Sequence, residues 1–509
     1  MLSPTIMVQG TASSVGKSLL VTALCRFFRR EGVRVAPFKS QNMALNSAVT
    51  PDGFEIGRAQ AVQAEAAGLR AAVEMNPILI KPEGASRAQV VVMGKPIGSM
   101  PALDYHAHAP QLKAIIAECL DTLRRQYELV IIEGAGSPAE VNLKDRDIVN
   151  MHVARVADAP VLLVGDIDRG GVFAAFVGTL ELLEPDERAR VAAFIVNKFR
   201  GDVALLQPGL DFLTQRTGKP VLGVVPYVTK LRIADEDSVS LEDRAGRKRP
   251  GREQLDIAVV RLPRISNYDD VEALEHEPGV VVRFVERPEE VRGADLVILP
   301  GSKGTASDLS WLRATGIARV IEERAESSEP VLGICGGCQM LGEVIEDPER
   351  VESAEPHTRG LGLLPLRARF GSTKNTAQVR MRARNPSFLA SGGAEQQELS
   401  GYEIHMGVVE QTRAAPAPFA IVARNGEPVQ LTDGAIDASG AVVGSMIHGL
   451  FENTAVRASL LTRLRTQKGI LSEATRDAGI ASKEAEYDRL EATLRAHVDR
   501  DLLRRIAKV

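Results

Sequence analysis

The sequence has few cysteines, few aromatic residues and almost no net charge. Four cysteines in 509 residues cannot build a disulfide framework, so we expect a reducing, cytoplasmic setting. Aromatic residues are only 4%, whereas there are 44 glycines, a balance that favours an aliphatic α/β protein with many tight turns. The 62 basic and 66 acidic residues give a net charge of −4, which provides no basic field for nucleic acid. We therefore expect small-molecule substrates.

Long apolar stretches are missing as well. No run reaches the roughly 18 apolar residues that a membrane helix needs. The N-terminus leads directly into a strand-like segment and has no basic region of the kind that begins a signal peptide. We predict neither a membrane span nor a signal peptide.

Short, wholly apolar runs alternate with helix-permitting segments in the first half of the chain. Such runs are typical of strands that are buried on both faces of a parallel sheet. The first half is thus predicted to be a doubly wound, mostly parallel α/β domain. The predicted strands are Thr5–Gln9, Val33–Pro37, Leu129–Ile132, Val161–Asp166, Ala193–Asn197 and Val221–Val225.

A charged segment, residues 235–252, separates this part from a second alternating series and is predicted to be a linker. We assign residues 1–234 to the first domain, 253–452 to a second α/β domain and 453–509 to a helical extension. In that extension, apolar residues spaced by three or four predict one amphipathic helix that packs against the protein. The predicted strands of the second domain are Ile257–Leu262, Val280–Val285, Leu296–Leu299 and Val331–Cys335, followed by Ala377–Met381, Tyr402–Val409 and Ala441–Ile447, which are expected to be antiparallel.

A glycine-rich loop from Gly10 to Ser18, with Gly16-Lys-Ser at its end, follows the first strand and precedes a helix. This context predicts a P-loop, in which backbone N–H groups surround phosphates, Lys17 neutralises oxygens and the Ser18 hydroxyl reaches Mg²⁺. The usual first glycine is replaced by Thr11. The predicted nucleotide contacts are Thr11, Ser14, Val15, Gly16, Lys17 and Ser18.

Polar residues follow later strands of the first domain, at the sheet edge where open α/β proteins bind ligands. Glu133 could hold the metal or its water, and Lys39 is a candidate second phosphate contact. Asn197 could contact a nucleotide base. Together these residues predict an ATP and Mg²⁺ site.

The Thr-x4-Gly-Lys-Ser loop and the strand ending in Glu-Gly-Ala-Gly resemble the dethiobiotin synthetase-like group of P-loop enzymes. This resemblance implies that ATP activates a carboxylate. It also implies a second acidic metal ligand at Glu55, alongside Ser18 and Glu133.

Cys335 occupies a Gly-x-Cys-x-Gly turn between a predicted strand and a helix. This is a nucleophile elbow with sulfur in place of oxygen, in which the start of the helix favours the thiolate. Cys338 is predicted to be packed. A zinc site built on Cys-x2-Cys is disfavoured, because there is no second cysteine pair and no histidine pair with ligand spacing.

His448, just after an apolar strand, is the preferred general base for Cys335, and His405 is the alternative. The elbow and the distant His-Gly resemble the class I glutamine amidotransferases, which implies the base role for His448. Most members have a glutamate two residues later, where this chain has Leu450. The orienting carboxylate must then be absent or come from elsewhere, with Glu452 and Glu403 as candidates.

The turn at residues 299–305 ends another strand and could supply an oxyanion donor, as the matching loop does in that family. An ordinary turn is the alternative interpretation.

Four blocks, residues 38–60, 75–82, 166–171 and 266–270, resemble the cobyric acid synthase family, and the resemblance extends over nearly the whole chain. It implies amidation of the b, d, e and g carboxylates of adenosylcobyrinic acid a,c-diamide with glutamine, ATP and Mg²⁺. An internal passage for ammonia is implied too. Cobyrinic acid a,c-diamide synthase, a P-loop switching ATPase and a noncatalytic glutamine sensor are the alternatives, and the oligomeric state stays open.

Overall fold

The computed structural model describes residues 2–83, 87–101, 104–105, 108–229, 231, 233, 247–390, 397–470 and 480–509. The chain divides into two compact units. The first unit contains Met1–Ala44, Ile56–Glu236 and Lys483–Val509, and the second contains Leu45–Glu55 and Asp237–Ser482. Of the predicted linker, residues 235–246 lie outside the described residues.

The strands up to residue 236 are β1 (Thr5–Gly10), β2 (Val35–Phe38), β3 (Gln41–Met43), β4 (Ser47–Val49), β5 (Glu55–Gly57), β6 (Ile78–Pro82), β7 (Arg87–Val92), β8 (Lys95–Pro101), β9 (Leu129–Glu133), β10 (Val161–Asp166), β11 (Val191–Phe199) and β12 (Val221–Pro226). Six of them form the parallel sheet of the first unit, in the order β12-β11-β10-β1-β9-β2. These strands are apolar on both faces and largely buried, as a parallel sheet covered by helices requires. All six predicted strands are confirmed to within two residues at each end. A smaller sheet has the order β3-β6-β7-β8, and β4 pairs with β5.

The helices of this part are α1 (Lys17–Arg30), α2 (Arg58–Ala66), α3 (Ala109–Gln126), α4 (Met151–Ala157), α5 (Val172–Leu182), α6 (Pro185–Arg190) and α7 (Val203–Thr217). Short 3₁₀ turns cover Val73–Met75 and Val141–Arg146. The apolar face of α1, including Leu24, Phe27 and Phe28, joins the core of the first unit.

Within the C-terminal extension, the apolar residues from 487 to 506 lie on two helices, α14 (Ile480–His497) and α15 (Arg500–Ala507), so the prediction of one continuous helix there is wrong. The break has a local cause, because Val498 bridges Gly223 and the Asp499 side chain caps α15 by accepting a hydrogen bond from the backbone N–H of Leu502. The predicted packing role is confirmed. Tyr487, Leu490, Leu494 and Leu503 belong to the core of the first unit.

The strands of the second half are β13 (Leu255–Val260), β14 (Ile265–Ser266), β15 (Val280–Val285), β16 (Leu296–Leu299), β17 (Gly301–Ser302), β18 (Val331–Ile334), β19 (Val344–Glu346), β20 (His357–Arg359), β21 (Leu366–Ala383), β22 (Leu399–Gln411), β23 (Phe419–Arg424), β24 (Glu427–Asp433), β25 (Ala435–Ile436) and β26 (Val442–Ser445). The main sheet of the second unit has the order β15-β13-β16-β18-β26-β25. A second sheet has the order β20-β19-β21-β23-β24, with β22 paired to β21.

One predicted strand direction is wrong. Strand β26 was expected to be antiparallel, but it pairs in parallel with β18 and is antiparallel only to the short β25. Its four residues are apolar or small and wholly buried, which suits an inner strand of a parallel sheet. The expected antiparallel pairing of β21 and β22 is confirmed.

The remaining helices are α8 (Glu272–Glu275), α9 (Pro288–Val291), α10 (Thr305–Thr315), α11 (Ile317–Glu326), α12 (Gly336–Leu341) and α13 (Thr454–Lys468), with 3₁₀ turns at Tyr268–Val271 and Leu450–Glu452. Both units are therefore α/β, as predicted, and the parallel sheet predicted for the first domain is confirmed. None of the helices in the described part of the chain combines the length and the apolar character that a membrane crossing requires.

Candidate functional site

The P-loop connects β1 to α1 in the first unit. Gly16 has a φ of +96°, a left-handed conformation that favours glycine, and a Cβ atom there would lie 2.3 Å from Nδ2 of Asn197, which would then have to move. The Lys17 ammonium donates hydrogen bonds to the carbonyl oxygens of Ala12 (3.1 Å) and Gly136 (3.2 Å). Lys17 thus lies over the loop, where phosphate oxygens would need a positive charge.

Glu133, at the end of β9, is the centre of the polar cluster beside this loop. It is 1% exposed. Its carboxylate accepts hydrogen bonds from the Ser18 hydroxyl (2.9 Å), the Lys39 ammonium (2.8 Å) and the Gln63 amide (2.5 Å). The structure therefore brings together three predicted residues, Ser18, Lys39 and Glu133, and adds Gln63. Sequence reasoning missed Gln63 because it lies inside helix α2, away from any strand end.

The loop is also held by residues at the carboxyl ends of β10 and β11. Asn197 donates its side-chain N–H to the carbonyl oxygen of Val15 (2.8 Å). Lys198 donates to the carbonyl oxygen of Ser14 (2.8 Å) and to the Asp166 carboxylate (2.9 Å). Asn197 thus stabilises the loop itself, and its predicted contact with a base stays a prediction. The neighbouring loop residue Thr11 donates its backbone N–H to the carbonyl oxygen of Val164 (2.8 Å).

Glu55 belongs to the second unit. There its carboxylate accepts a hydrogen bond from the Ser47 hydroxyl (2.9 Å) and forms a buried ion pair with Lys374. Its role as a second metal ligand stays a prediction. Among the residues that the structure describes, no three histidine, cysteine, aspartate or glutamate side chains come together as a metal site.

Cys335 forms the elbow between β18 and α12 in the second unit. Its backbone has a φ of +51° and a ψ of −109°, a region that non-glycine residues rarely adopt and that is found at functional sites. Its N–H donates to the carbonyl oxygen of Ser445 (2.8 Å), and its thiol lies 3.8 Å from the carbonyl oxygen of Ile404. Cys335 is 6% exposed. The predicted elbow geometry is confirmed.

The turn at residues 299–305 lies directly against this elbow. A Cβ atom on Gly337 would lie 2.0 Å from the carbonyl oxygen of Leu299, and one on Gly336 would lie 2.8 Å from the backbone nitrogen of Ser302. Two glycines are therefore needed for this approach. The turn therefore packs against the backbone that follows Cys335, and its role as an oxyanion donor stays a prediction.

His448 follows β26 and is buried beside Cys335. Its Nδ1 lies 2.6 Å from the Asp270 carboxylate, whose other oxygen accepts the N–H of Gly449 (2.8 Å). Burial alone would lower the pKa of His448, but the charges of Asp270 and Cys335 and hydrogen bonds to both outweigh burial and raise the pKa to about 10. This raised pKa favours the imidazolium form of His448.

Asp270 is thus positioned as the carboxylate that orients His448, whose identity could not be decided from the sequence. Glu403 pairs instead with Arg424 (2.7 Å), and Glu452 is exposed. The alternative base, His405, has its Nδ1 3.2 Å from the carbonyl oxygen of Gly407. The sequence contains one signal for Asp270, an acidic pair shortly after β13. Strands β13 and β18 are parallel, so their carboxyl ends share one sheet edge, and residues that follow β13 can lie near the elbow that follows β18.

Asp433 supports the backbone that leads to His448. Its carboxylate accepts hydrogen bonds from the Ser445 hydroxyl (2.6 Å) and the N–H of Met446 (2.8 Å). Burial raises the pKa of Asp433 to about 6. The same Ser445 accepts the Cys335 N–H through its carbonyl group, so one buried carboxylate helps to fix both ends of the catalytic pair.

A P-loop on one parallel sheet and a cysteine–histidine–aspartate group on another define a glutamine amidotransferase joined to a nucleotide-binding enzyme. The CobB/CobQ-like glutamine amidotransferase domain family matches residues 256–456, and the CobQ/CobB/MinD/ParA nucleotide binding domain family matches residues 6–241. The chain belongs to the cobyric acid synthase family, and it is an enzyme of glutamine-dependent amidation in cobalamin biosynthesis.

Three relatives illustrate the similarity. The cobyric acid synthase of Sorangium cellulosum is 64% identical over 515 residues, covering 99% of each chain. That of Desulforamulus reducens is 51% identical and covers 98% of this chain and 97% of its own. That of Klebsiella pneumoniae is 49% identical and covers 97% and 96% respectively.

Proposed function

We propose that this enzyme uses glutamine and ATP to convert the b, d, e and g carboxylates of adenosylcobyrinic acid a,c-diamide into amides, which gives adenosylcobyric acid. The observation that carries this proposal is the presence in one chain of a Cys335–His448–Asp270 group and a P-loop whose Ser18 hydrogen-bonds to a buried carboxylate. Residues 1–234 would carry out amidation and residues 253–452 would hydrolyse glutamine. The identity to curated cobyric acid synthases supports this substrate over that of cobyrinic acid a,c-diamide synthase.

Glutamine hydrolysis begins at Cys335. The thiolate attacks the side-chain amide carbon of glutamine, and the negative charge that develops on oxygen is stabilised by backbone N–H groups near Gly336 and Ser302. His448 then donates its proton to the amide nitrogen, the C–N bond breaks, and ammonia leaves a thioester on Cys335. Neutral His448 next takes a proton from the water that attacks the thioester, which releases glutamate and restores the thiolate.

Asp270 orients His448 in both steps and favours its protonated form, which the first step requires. We expect Asp270→Asn to lower glutaminase kcat roughly 10²-fold or more, because the imidazole loses the partner that fixes its orientation. Removal of an opposite charge within hydrogen-bond distance should also lower the pKa of His448 by about 1–3 units. Since the reaction needs the imidazolium, the alkaline fall of kcat/KM should move to lower pH. Glu452→Gln, which changes an exposed carboxylate nearby, is the matched control, and an unchanged pH profile in Asp270→Asn would contradict this role.

Carboxylate activation belongs to the first unit. Lys17 would neutralise the transferring phosphoryl group, and the N–H groups of the loop would hold the other phosphates. Ser18 and Glu133 offer a hydroxyl and a carboxylate side by side, an oxygen donor set that fits Mg²⁺. When bound there, Mg²⁺ would offset phosphate charge. The corrinoid carboxylate would take the γ-phosphoryl group as an acyl phosphate, and ammonia would displace phosphate to form the amide.

All four cysteines are free, buried thiols, which supports a reducing compartment, and we place the enzyme in the cytoplasm.

Mass spectrometry of the corrinoid after incubation with glutamine, ATP and Mg²⁺ tests the substrate assignment. We expect four added amides from the a,c-diamide. Two amides formed from cobyrinic acid, and none from the a,c-diamide, would instead identify the alternative synthase activity.

A further inference from the structure

The loop between β9 and α4, residues 134–150, begins at the proposed site of phosphoryl transfer. It follows Glu133 directly, and the carbonyl oxygen of Gly136 accepts a hydrogen bond from the Lys17 ammonium (3.2 Å). Val141 lies five residues after Gly136, so the chain between them spans at most about 18 Å. A substrate whose carboxylate takes a phosphoryl group beside Lys17 must therefore place the rest of its molecule close to this loop.

The loop is fixed to the first unit by hydrogen bonds at both ends. The Asn150 side chain donates to the carbonyl oxygen of Ala135 (2.6 Å) and accepts its N–H (3.2 Å). The Asp147 carboxylate accepts the backbone N–H of Asn150 (2.8 Å). The Ser40 hydroxyl donates to the carbonyl oxygen of Ile148 (2.9 Å). The middle of the loop is therefore carried by a base that is held in place.

The middle of the loop is the 3₁₀ turn Val141–Arg146, which exposes apolar side chains to solvent. Val141 is 63% exposed and Leu143 is 45% exposed, although burial of such side chains is ordinarily favourable. Residues three apart eclipse each other in a 3₁₀ helix, so Arg146 lies on the same side of the turn as Leu143. The turn thus presents apolar groups next to a guanidinium.

The two cations of this turn differ in their partners. Lys144 pairs with Glu184 (2.8 Å) and with Glu187 (3.4 Å), so its charge is already neutralised. Arg146 is exposed, and in the described part of the chain its guanidinium makes no hydrogen bond or ion pair. A free guanidinium beside exposed apolar side chains suits a ligand with an apolar body and carboxylates at its edge.

We propose that Val141, Leu143 and Arg146 form a binding surface for the corrinoid, in which the apolar side chains contact the ring and Arg146 pairs with a peripheral carboxylate. This inference rests on the proposed function, since it is the corrinoid carboxylate that has to meet the phosphoryl group beside Lys17. Apolar contact is not directional, so one surface can accept the ring in each orientation that amidation of four different carboxylates requires.

Arg146 also gives the surface a preference for substrate over product. The product has four fewer carboxylates than the a,c-diamide, so it offers Arg146 fewer charged partners in any orientation of the ring. The contacts with Val141 and Leu143 are the same for both molecules. The affinity should therefore fall as amidation proceeds, which favours release of the finished product.

The test is equilibrium dialysis of the full chain with adenosylcobyrinic acid a,c-diamide or adenosylcobyric acid, in the presence of Mg²⁺ and a nonhydrolysable ATP analogue. Arg146→Ala should raise the Kd of the a,c-diamide roughly tenfold or more, the loss expected for a hydrogen bond between charged groups, and should raise that of the product much less. Leu143→Ser should raise both Kd values by a similar factor of roughly five, because the lost apolar contact is common to both molecules.

The matched controls are Lys144→Ala, which removes the paired cation of the same turn, and Leu205→Ser, which changes an apolar side chain that is 84% exposed on α7. Both should bind the two corrinoids normally. In ammonium-dependent amidation, Arg146→Ala and Leu143→Ser should raise the KM for the corrinoid and leave the KM for ATP unchanged. The unchanged KM for ATP also shows that the first unit is folded in these variants.

The inference is overturned if Arg146→Ala and Leu143→Ser bind the a,c-diamide as tightly as the unaltered enzyme does. It is also overturned if Arg146→Ala weakens binding of substrate and product equally, or if the control variants lose as much affinity. Absence of ammonium-dependent amidation of the a,c-diamide in the unaltered enzyme would contradict the proposed function. Normal amidation there, together with unchanged binding in both variants, would contradict this inference alone.

Discussion

Cys335→Ala should abolish glutamine-dependent amidation, with a loss on the order of 10⁴-fold or more, because no other group can form the thioester. Amidation with added ammonium should continue at nearly the original rate, since the acyl phosphate forms in the first unit. The measurement is the initial rate of amide formation on the corrinoid with either nitrogen source.

Cys338→Ala is the matched control for this substitution. Cys338 is buried three residues further on, and burial raises the pKa of its thiol well above the ordinary value, so it is not a nucleophile. We expect this variant to keep both activities. If Cys335→Ala lost ammonium-dependent amidation as well, the assignment of the two reactions to separate sites would be wrong.

The second large effect is expected for Lys17→Ala. Loss of the ammonium that lies over the P-loop should lower amidation from either nitrogen source by roughly 10²–10³-fold, the range for removal of one group that stabilises transition-state charge. Hydrolysis of glutamine in the absence of ATP should be unaffected, because Cys335 and His448 are intact.

Lys144→Ala provides the control for Lys17→Ala, since Lys144 belongs to the same unit and pairs with the surface residue Glu184. It should amidate normally. Normal ammonium-dependent turnover in Lys17→Ala would mean that this loop is not the site of phosphoryl transfer.

Local signals made much of this architecture predictable. The P-loop, the cysteine elbow and the strand before His448 are each encoded in about ten consecutive residues, and apolar runs identified the buried strands of both parallel sheets. Chemistry that depends on a local turn can be inferred from sequence because neighbouring residues create its geometry.

What could not be predicted depends on pairing between distant parts of the chain. Asp270 and His448 are 178 residues apart, and the only signal that relates them is the expectation that the parallel strands before each residue end at the same sheet edge. Strand β26 lies beside β18 through such long-range pairing, and its apolar sequence fits either direction. The placement of residues 45–55 in the second unit could not be predicted either, because their sequence does not indicate which part of the chain they pack against.

The central claim is that glutamine supplies ammonia from Cys335 while ATP activates a corrinoid carboxylate as an acyl phosphate. The most direct measurement repeats the product incubation with amide-¹⁵N glutamine and a corrinoid labelled with ¹⁸O in its carboxylates. The account predicts one ¹⁵N in each new amide and one ¹⁸O in inorganic phosphate for each amide formed. Recovery of ¹⁸O in AMP, or amide formation without ¹⁸O in phosphate, would contradict it.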